Sequence, residues 1–476
     1  MKKILLLYLL FFSLAAPAQD GYEIKVTFRP FKGEYIYLGH YFGKQYPIVD
    51  SVKLDANSQG TLKGNKKLPG GIYLVGYPNK TGFFEILIDR QQKFSIIADT
   101  ATLRTGPKFE NSSDNTLFIS YQQKMNNWGR QINELQQKLK TPSVKDSASI
   151  REEILKLDKQ ILAYREGLIK DHEGSLLALL LNSMRDPELP LALKNPKTRT
   201  DSLASYQFYK SHYWDGVALW DGRLAYTPFF EDKVDKYFAQ LVVPNPDSVI
   251  KEIDWMMGYA SISEEMTRFL LIKFANRYLN QKYMWEDAVF VHLFEKYFAQ
   301  KNYPWLSDAG RKTITDRAYS LMANIMGKPA SDIYLPDSTG AYLSLYEMKA
   351  DYTLVAFWDP KCGHCKEVLP KLDSFYHAKW KNKGLKIFAV AKETDGTRAD
   401  WLNFINEHKL KQWTNVYYSK AEDRSRVDNS IPGYSQLYDV QSFPTLYLLD
   451  REKLIVAKKL SFEQINEVLE MKLKAK

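Results

Sequence analysis

The segment Val355-Ala356-Phe357-Trp358-Asp359-Pro360-Lys361-Cys362-Gly363-His364-Cys365 constrains this chain more than any other stretch. An unbroken apolar run passes through a proline turn into a Cys-x-x-Cys, and a helical pattern follows over 362–380. A run without polar alternation needs cover on both faces, so it reads as a central strand of a layered α/β sheet. The next helix then begins at the cysteines. Unpaired N–H groups and the macrodipole at a helix start favour a thiolate. Lys361 and His364 add positive charge or donors beside Cys362, the expected nucleophile. Cys365, one turn further in, is expected to be more buried and close enough to resolve a mixed disulfide.

These are the only two cysteines in 476 residues. A lone pair closing so small a loop adds little stability, so the pair reads as chemical, not structural. Other chemistries find no support. Structural zinc needs about four ligands, and a second Cys pair is absent from the sequence. The seven histidines show no metal-ligand spacing. His212, within the run Lys210-Ser211-His212-Tyr213-Trp214-Asp215, reads as a structural histidine. A peroxidase of the peroxiredoxin kind would need Thr where Asp359 stands. No glycine-rich phosphate loop appears, and no cofactor or metal is expected.

Around the motif a β-α-β alternation builds a compact α/β domain over 327–476. Strands are expected over 352–358, 385–391, 415–418 and 445–449, and helices over 362–380, 398–408 and from Phe462. A hairpin over 333–345 precedes them. Residues 19–112 read as an antiparallel β-sandwich-like domain, with strands over 22–28, 34–42, 46–54, 71–77, 83–88 and 93–98. Turns are expected at 57–60, 69–71 and 78–80. Over 113–326 the period becomes helical. Leu117, Tyr121, Met125, Trp128, Ile132, Leu135 and Leu139 form one stripe and Ile150, Ile154, Leu157, Ile161, Tyr164 and Leu168 another, broken at Thr141-Pro142-Ser143, as in a helical hairpin. The expected fold is therefore multidomain: N-terminal antiparallel β, central all-α, C-terminal α/β.

Residues 1–18 carry Lys2 and Lys3, an apolar stretch over 4–14 and Ala16-Pro17-Ala18. This is the pattern of a signal peptide removed before Gln19. The stretch is too short to span a bilayer and no later one is long enough, so the expectation is a soluble exported protein of the periplasm, with no transmembrane segment. The net charge of +10 is spread, bases interleaved with acids, which gives no reason to expect nucleic acid as a partner.

The strand ending in Phe357-Trp358, the Cys-Gly-His-Cys motif, Pro370 and Ser442-Phe443-Pro444-Thr445 together resemble the thioredoxin superfamily. The long interval from Cys365 to Pro444 is similar to its TlpA/ResA-like exported branch. The two front regions look like the β and helical domains that precede such ends in Bacteroidetes envelope proteins. The resemblance implies a redox disulfide between Cys362 and Cys365, with Pro444 in cis facing the cysteines and Phe443 beside it. It implies a thiol–disulfide oxidoreductase acting on protein thiols and disulfides, with a redox partner that restores the dithiol. A reductase or isomerase is favoured over an oxidase, although Gly363-His364, the dipeptide of protein disulfide isomerases, leaves the direction of electron flow open. Departures exist. Ala356 stands where thioredoxins bury an Asp, Lys361 where they carry Trp, and Val368 where the branch often has Glu, which leaves Glu367 and Glu393 as candidate proton acceptors for Cys365. The competing expectation is an envelope binding or scaffold protein whose work lies in 20–326.

Overall fold

The computed structural model describes residues 21–102, 106–140 and 147–474. The expected signal segment and the break at Thr141-Pro142-Ser143 lie outside them. Contacts divide the chain into two compact units, one running to Val242 with Asp254–Leu270, the other Val243–Ile253 with Leu271–Lys476.

The first unit opens with strands β1 (Tyr22–Arg29), β2 (Tyr35–His40), β3 (Ile48–Lys53), β4 (Gln59–Gly64), β5 (Gly71–Gly76), β6 (Phe83–Ile88), β7 (Lys93–Asp99) and β8 (Lys108–Glu110). Alternation sets β1: Tyr22, Ile24, Val26 and Phe28 point inward and the residues between them do not. Two four-stranded sheets result, ordered β4-β1-β7-β8 and β3-β2-β5-β6. Neighbours are antiparallel except β1 and β7, which run parallel. Ile24, Val26 and Ile96 from one sheet meet Ile36, Leu38 and Ile86 from the other in a shared core, so the arrangement is a sandwich. One expected turn is corrected. Only its first two residues, Asn57 and Ser58, turn the chain; Gln59 already pairs with Thr27 and begins β4.

Helices Ser113–Leu139 and Ser147–Asp171 follow. The first is capped by Ser112. Its buried Asn115 accepts the Leu87 N–H of β6 at 2.7 Å and donates to the Leu87 carbonyl at 2.8 Å. The rings of Tyr121 and Trp128 both meet Tyr164 of the second helix, which joins the two stripes read in the sequence. Helical structure continues to Met322, giving N-terminal sheets, a central helical region and an α/β end. No helix among the described residues is long and apolar enough to cross a membrane.

The second unit holds the hairpin β9 (Tyr334–Pro336) and β10 (Tyr342–Ser344) and a five-stranded sheet. Its strands are β11 (Tyr352–Trp358), β12 (Leu385–Lys392), β13 (Thr414–Tyr418), β14 (Thr445–Leu449) and β15 (Ile455–Lys458), in the order β13-β12-β11-β14-β15. β11 is central, parallel to β12 and antiparallel to β14. Every β11 residue is buried: Leu354, Ala356 and Trp358 pack into one core with Cys365 and Trp380, Val355 and Phe357 into the other with Phe388. Each large apolar side chain so buried contributes roughly 1.5–3 kcal/mol.

Candidate active site

The chain leaves β11 at Trp358 and turns at once. Asp359 Oδ1 accepts the Lys361 N–H at 2.7 Å and the Asp359 carbonyl accepts the Cys362 N–H at 3.1 Å. This Asx-type turn sets Cys362 at the N-cap of helix Gly363–Phe375. No side-chain cap bond is made at that end among the described residues, and its first turn holds no acid. The end of the helix dipole is therefore left to the Cys362 sulfur, a place that stabilises negative charge. Pro370 sits inside this helix.

Opposite stands the loop before β14. The Phe443–Pro444 peptide is cis, and Cys362 Sγ donates toward the Phe443 carbonyl across 3.7 Å. Cys362 is half-buried and Cys365 fully buried. Burial pushes the Cys365 thiol well above the ordinary range, with a hydrogen bond to Cys362 acting the same way and one to the Asp359 backbone acting against it. One thiol thus faces outward at a helix start and the other sits behind it, protonated. His364 is exposed and lines a cavity of about 500 Å³ together with Val368, Ser442, Pro444, Leu460 and Phe462.

Lys361 behaves differently from the expectation. Its ammonium lies 2.8 Å from Asp400 Oδ1, at the start of helix Arg398–Glu407. A carboxylate is a better partner for it than a thiol. Lys361 and the Thr397 backbone hold the Asp400 carboxyl well below the usual range. Of the acids considered for Cys365, Glu367 is exposed and Glu393 accepts the Lys420 N–H at 3.0 Å. The charge of Asp359 adds a smaller push in the same direction as burial on the Cys365 thiol.

Asp359 is the residue the sequence reading passed over. Only 2% exposed, it accepts backbone N–H groups of Thr394 and Asp395 at 3.0 Å and of Gly396 at 3.4 Å, besides that of Lys361. Its one sequence signal is Asp-Pro at the end of an apolar strand, a turn initiator. A second missed group holds the other side of the site. Asp439 accepts Arg317 Nη1 at 2.7 Å and Gln441 Nε2 at 3.0 Å and is paired with Lys459, which fixes the segment leading to Pro444.

Residues 350–455 match the family described as thioredoxin-like, and residues 118–324 match a domain of unknown function, DUF5106. Among solved structures the chain is similar to a domain of a possible thiol-disulfide isomerase from Cytophaga hutchinsonii. The identity is 34%, over 32% of this chain and 97% of that one, with a TM-score of 0.27. It is also similar to the thioredoxin domain of a thiol-disulfide oxidoreductase from Bacteroides vulgatus, at 32% identity over 31% and 96%, TM-score 0.26. A thioredoxin-like protein from Bacteroides caccae shares 20% identity over 60% of this chain and 98% of its own, TM-score 0.39. No curated protein matches.

Proposed function

Because the chain belongs to the thioredoxin superfamily, as a TlpA-like member, we propose that it is an exported thiol–disulfide oxidoreductase of the periplasm, working through Cys362 and Cys365 on protein substrates. The observation that carries the reading is the pairing of roles: an N-cap sulfur facing the Phe443 carbonyl, with a buried thiol one turn behind it. The Cys362 thiolate attacks one sulfur of a substrate disulfide, the S–S bond breaks, and the other substrate sulfur leaves as a thiolate. Cys365 then attacks Cys362 Sγ and expels the first substrate sulfur. Two electrons have passed to the substrate, the Cys365 proton ends on a substrate sulfur, and the enzyme holds a disulfide. A dithiol partner resets it. The steps run in reverse oxidise a dithiol; reduction or isomerisation is the direction we favour. The cavity lined by His364 and Pro444 is the place we assign to the substrate chain.

The test is a trap. In the envelope of its own host, Cys365→Ser should accumulate mixed disulfides that collapse with dithiothreitol, and Cys362→Ser should give few. Equally empty gels from both variants would remove the support for this reading and favour a binding or scaffold role for residues 20–326.

A further inference from the structure

The helical part of the first unit contains a cavity of about 740 Å³ that the redox chemistry does not use. Its size is that of a ligand-binding pocket. It is walled by an aromatic belt. The rings run Tyr237–Trp214 (5.1 Å between centroids), Trp214–Trp255 (6.5 Å), Trp255–Tyr259 (5.3 Å) and Tyr259–Trp220 (6.3 Å). Trp220, Trp255 and Tyr259 are 50, 39 and 43% exposed. So much aromatic surface turned to water around one cavity marks an interaction site. Its floor is apolar, with buried Val217 and Leu219. Its charged lining residues are one base, Lys210, and one acid, Asp215, so a neutral occupant is favoured over an ion.

We propose that this cavity is a non-covalent site for an apolar side chain, Phe- or Leu-like, of an extended polypeptide. Trp255 meets Tyr259 at 68° and Trp220 meets Tyr259 at 40°. The rings are thus inclined to one another, and with Val217 and Leu219 they give a largely apolar lining that suits an inserted apolar side chain. Polar groups on the lining, including Asn182, Gln207 and Ser211, can serve the backbone of the same segment. The choice of a polypeptide rests on the redox reading above, whose substrates are proteins.

The test uses the full chain, unaltered and with Cys362→Ser and Cys365→Ser together. The probe is a short unstructured Ser/Gly peptide carrying Phe and no sulfur, followed by tryptophan fluorescence and calorimetry. Binding should be saturable and equal in both cysteine forms, lost when Ser replaces Phe in the probe, and weakened about tenfold by Trp220→Ala or Tyr259→Ala. Both rings are near half-exposed, so these variants should fold, which circular dichroism checks. Absence of saturable binding, indifference to both variants, or binding of a neutral oligosaccharide in place of the peptide would overturn the proposal. Since the probe has no disulfide, failure of the redox reading alone leaves these outcomes unchanged.

Discussion

Asp359 accepts the backbone N–H of Gly396 from 37 residues away, and with the N–H groups of Thr394 and Asp395 this pins the loop after β12 to the turn that presents Cys362. Replacing Asp359 with Ala leaves the buried Gly396 N–H and the part-buried N–H groups of Thr394 and Asp395 without this partner. We expect a loss of roughly 2–4 kcal/mol in urea unfolding and slower exchange of Cys362 with a small aromatic disulfide. Gly396→Ala should act at the same place. An added Cβ would stand 3.0 Å from Pro360 Cδ and 3.1 Å from Asp359 Oδ1, and the bonded carboxylate has little room to give. Unchanged stability in both variants would show that the loop is held by something else.

Cys365 supplies a pH dependence. Burial raises its folded pKa above the ordinary thiol value of about 8.5, so the folded state keeps the proton longer than the unfolded one. The contribution to stability is complete below about pH 8.5 and is lost as pH rises toward the folded value. In a Cys362→Ser background, urea midpoints should therefore fall more steeply above that pH than in the variant that also carries Cys365→Ala. Native alkylation of Cys365 should stay slow until the protein unfolds. Parallel midpoint curves for the two variants would contradict this.

The parts of this fold legible in the sequence are those whose signal is local. β11 shows itself because all its residues are buried, so the apolar run is uninterrupted, and the helix start is marked by Cys362 at its N-cap. β4 hides because it is an edge strand of sequence Gln-Gly-Thr-Leu-Lys-Gly, where only Leu62 is fully buried and pairing with β1 makes the strand. The supporting groups of the site hide for a different reason. Asp359 bonds backbone N–H groups, which nearly every residue type carries, and Arg317 reaches Asp439 across 122 positions, so neither pairing leaves a spacing to read.

Asp439 should make the second unit acid-sensitive. Burial acts to raise its pKa, but Arg317 and Lys459 outweigh that and hold it below the usual carboxylate value of about 3.9. For a depressed carboxylate the stabilisation is present above the unfolded pKa and lost as pH falls through the folded one. Asp439→Asn should lower stability by roughly 2–4 kcal/mol at neutral pH and flatten the acid limb below about pH 4, while slowing exchange through a looser Pro444 segment. A variant with the parent's acid limb would refute the assignment.

Lys458 of β15 is 2% exposed and pairs with Asp287, at 3%, in helix Glu286–Leu293, with Asn324 Oδ1 accepting from the same ammonium at 2.8 Å. Burial pushes Lys458 down and Asp287 up, each opposed by the other's charge. Two such charges gain little over an apolar pair, but removing one strands its partner away from water. Lys458→Met should therefore cost roughly 3–5 kcal/mol by chemical denaturation, and Asp287→Leu a similar amount. The double variant should cost clearly less than the sum, with a coupling of more than about 1 kcal/mol. Additive losses would mean that the two side chains act through separate contacts and that the ion pair does not itself join the helix to the sheet.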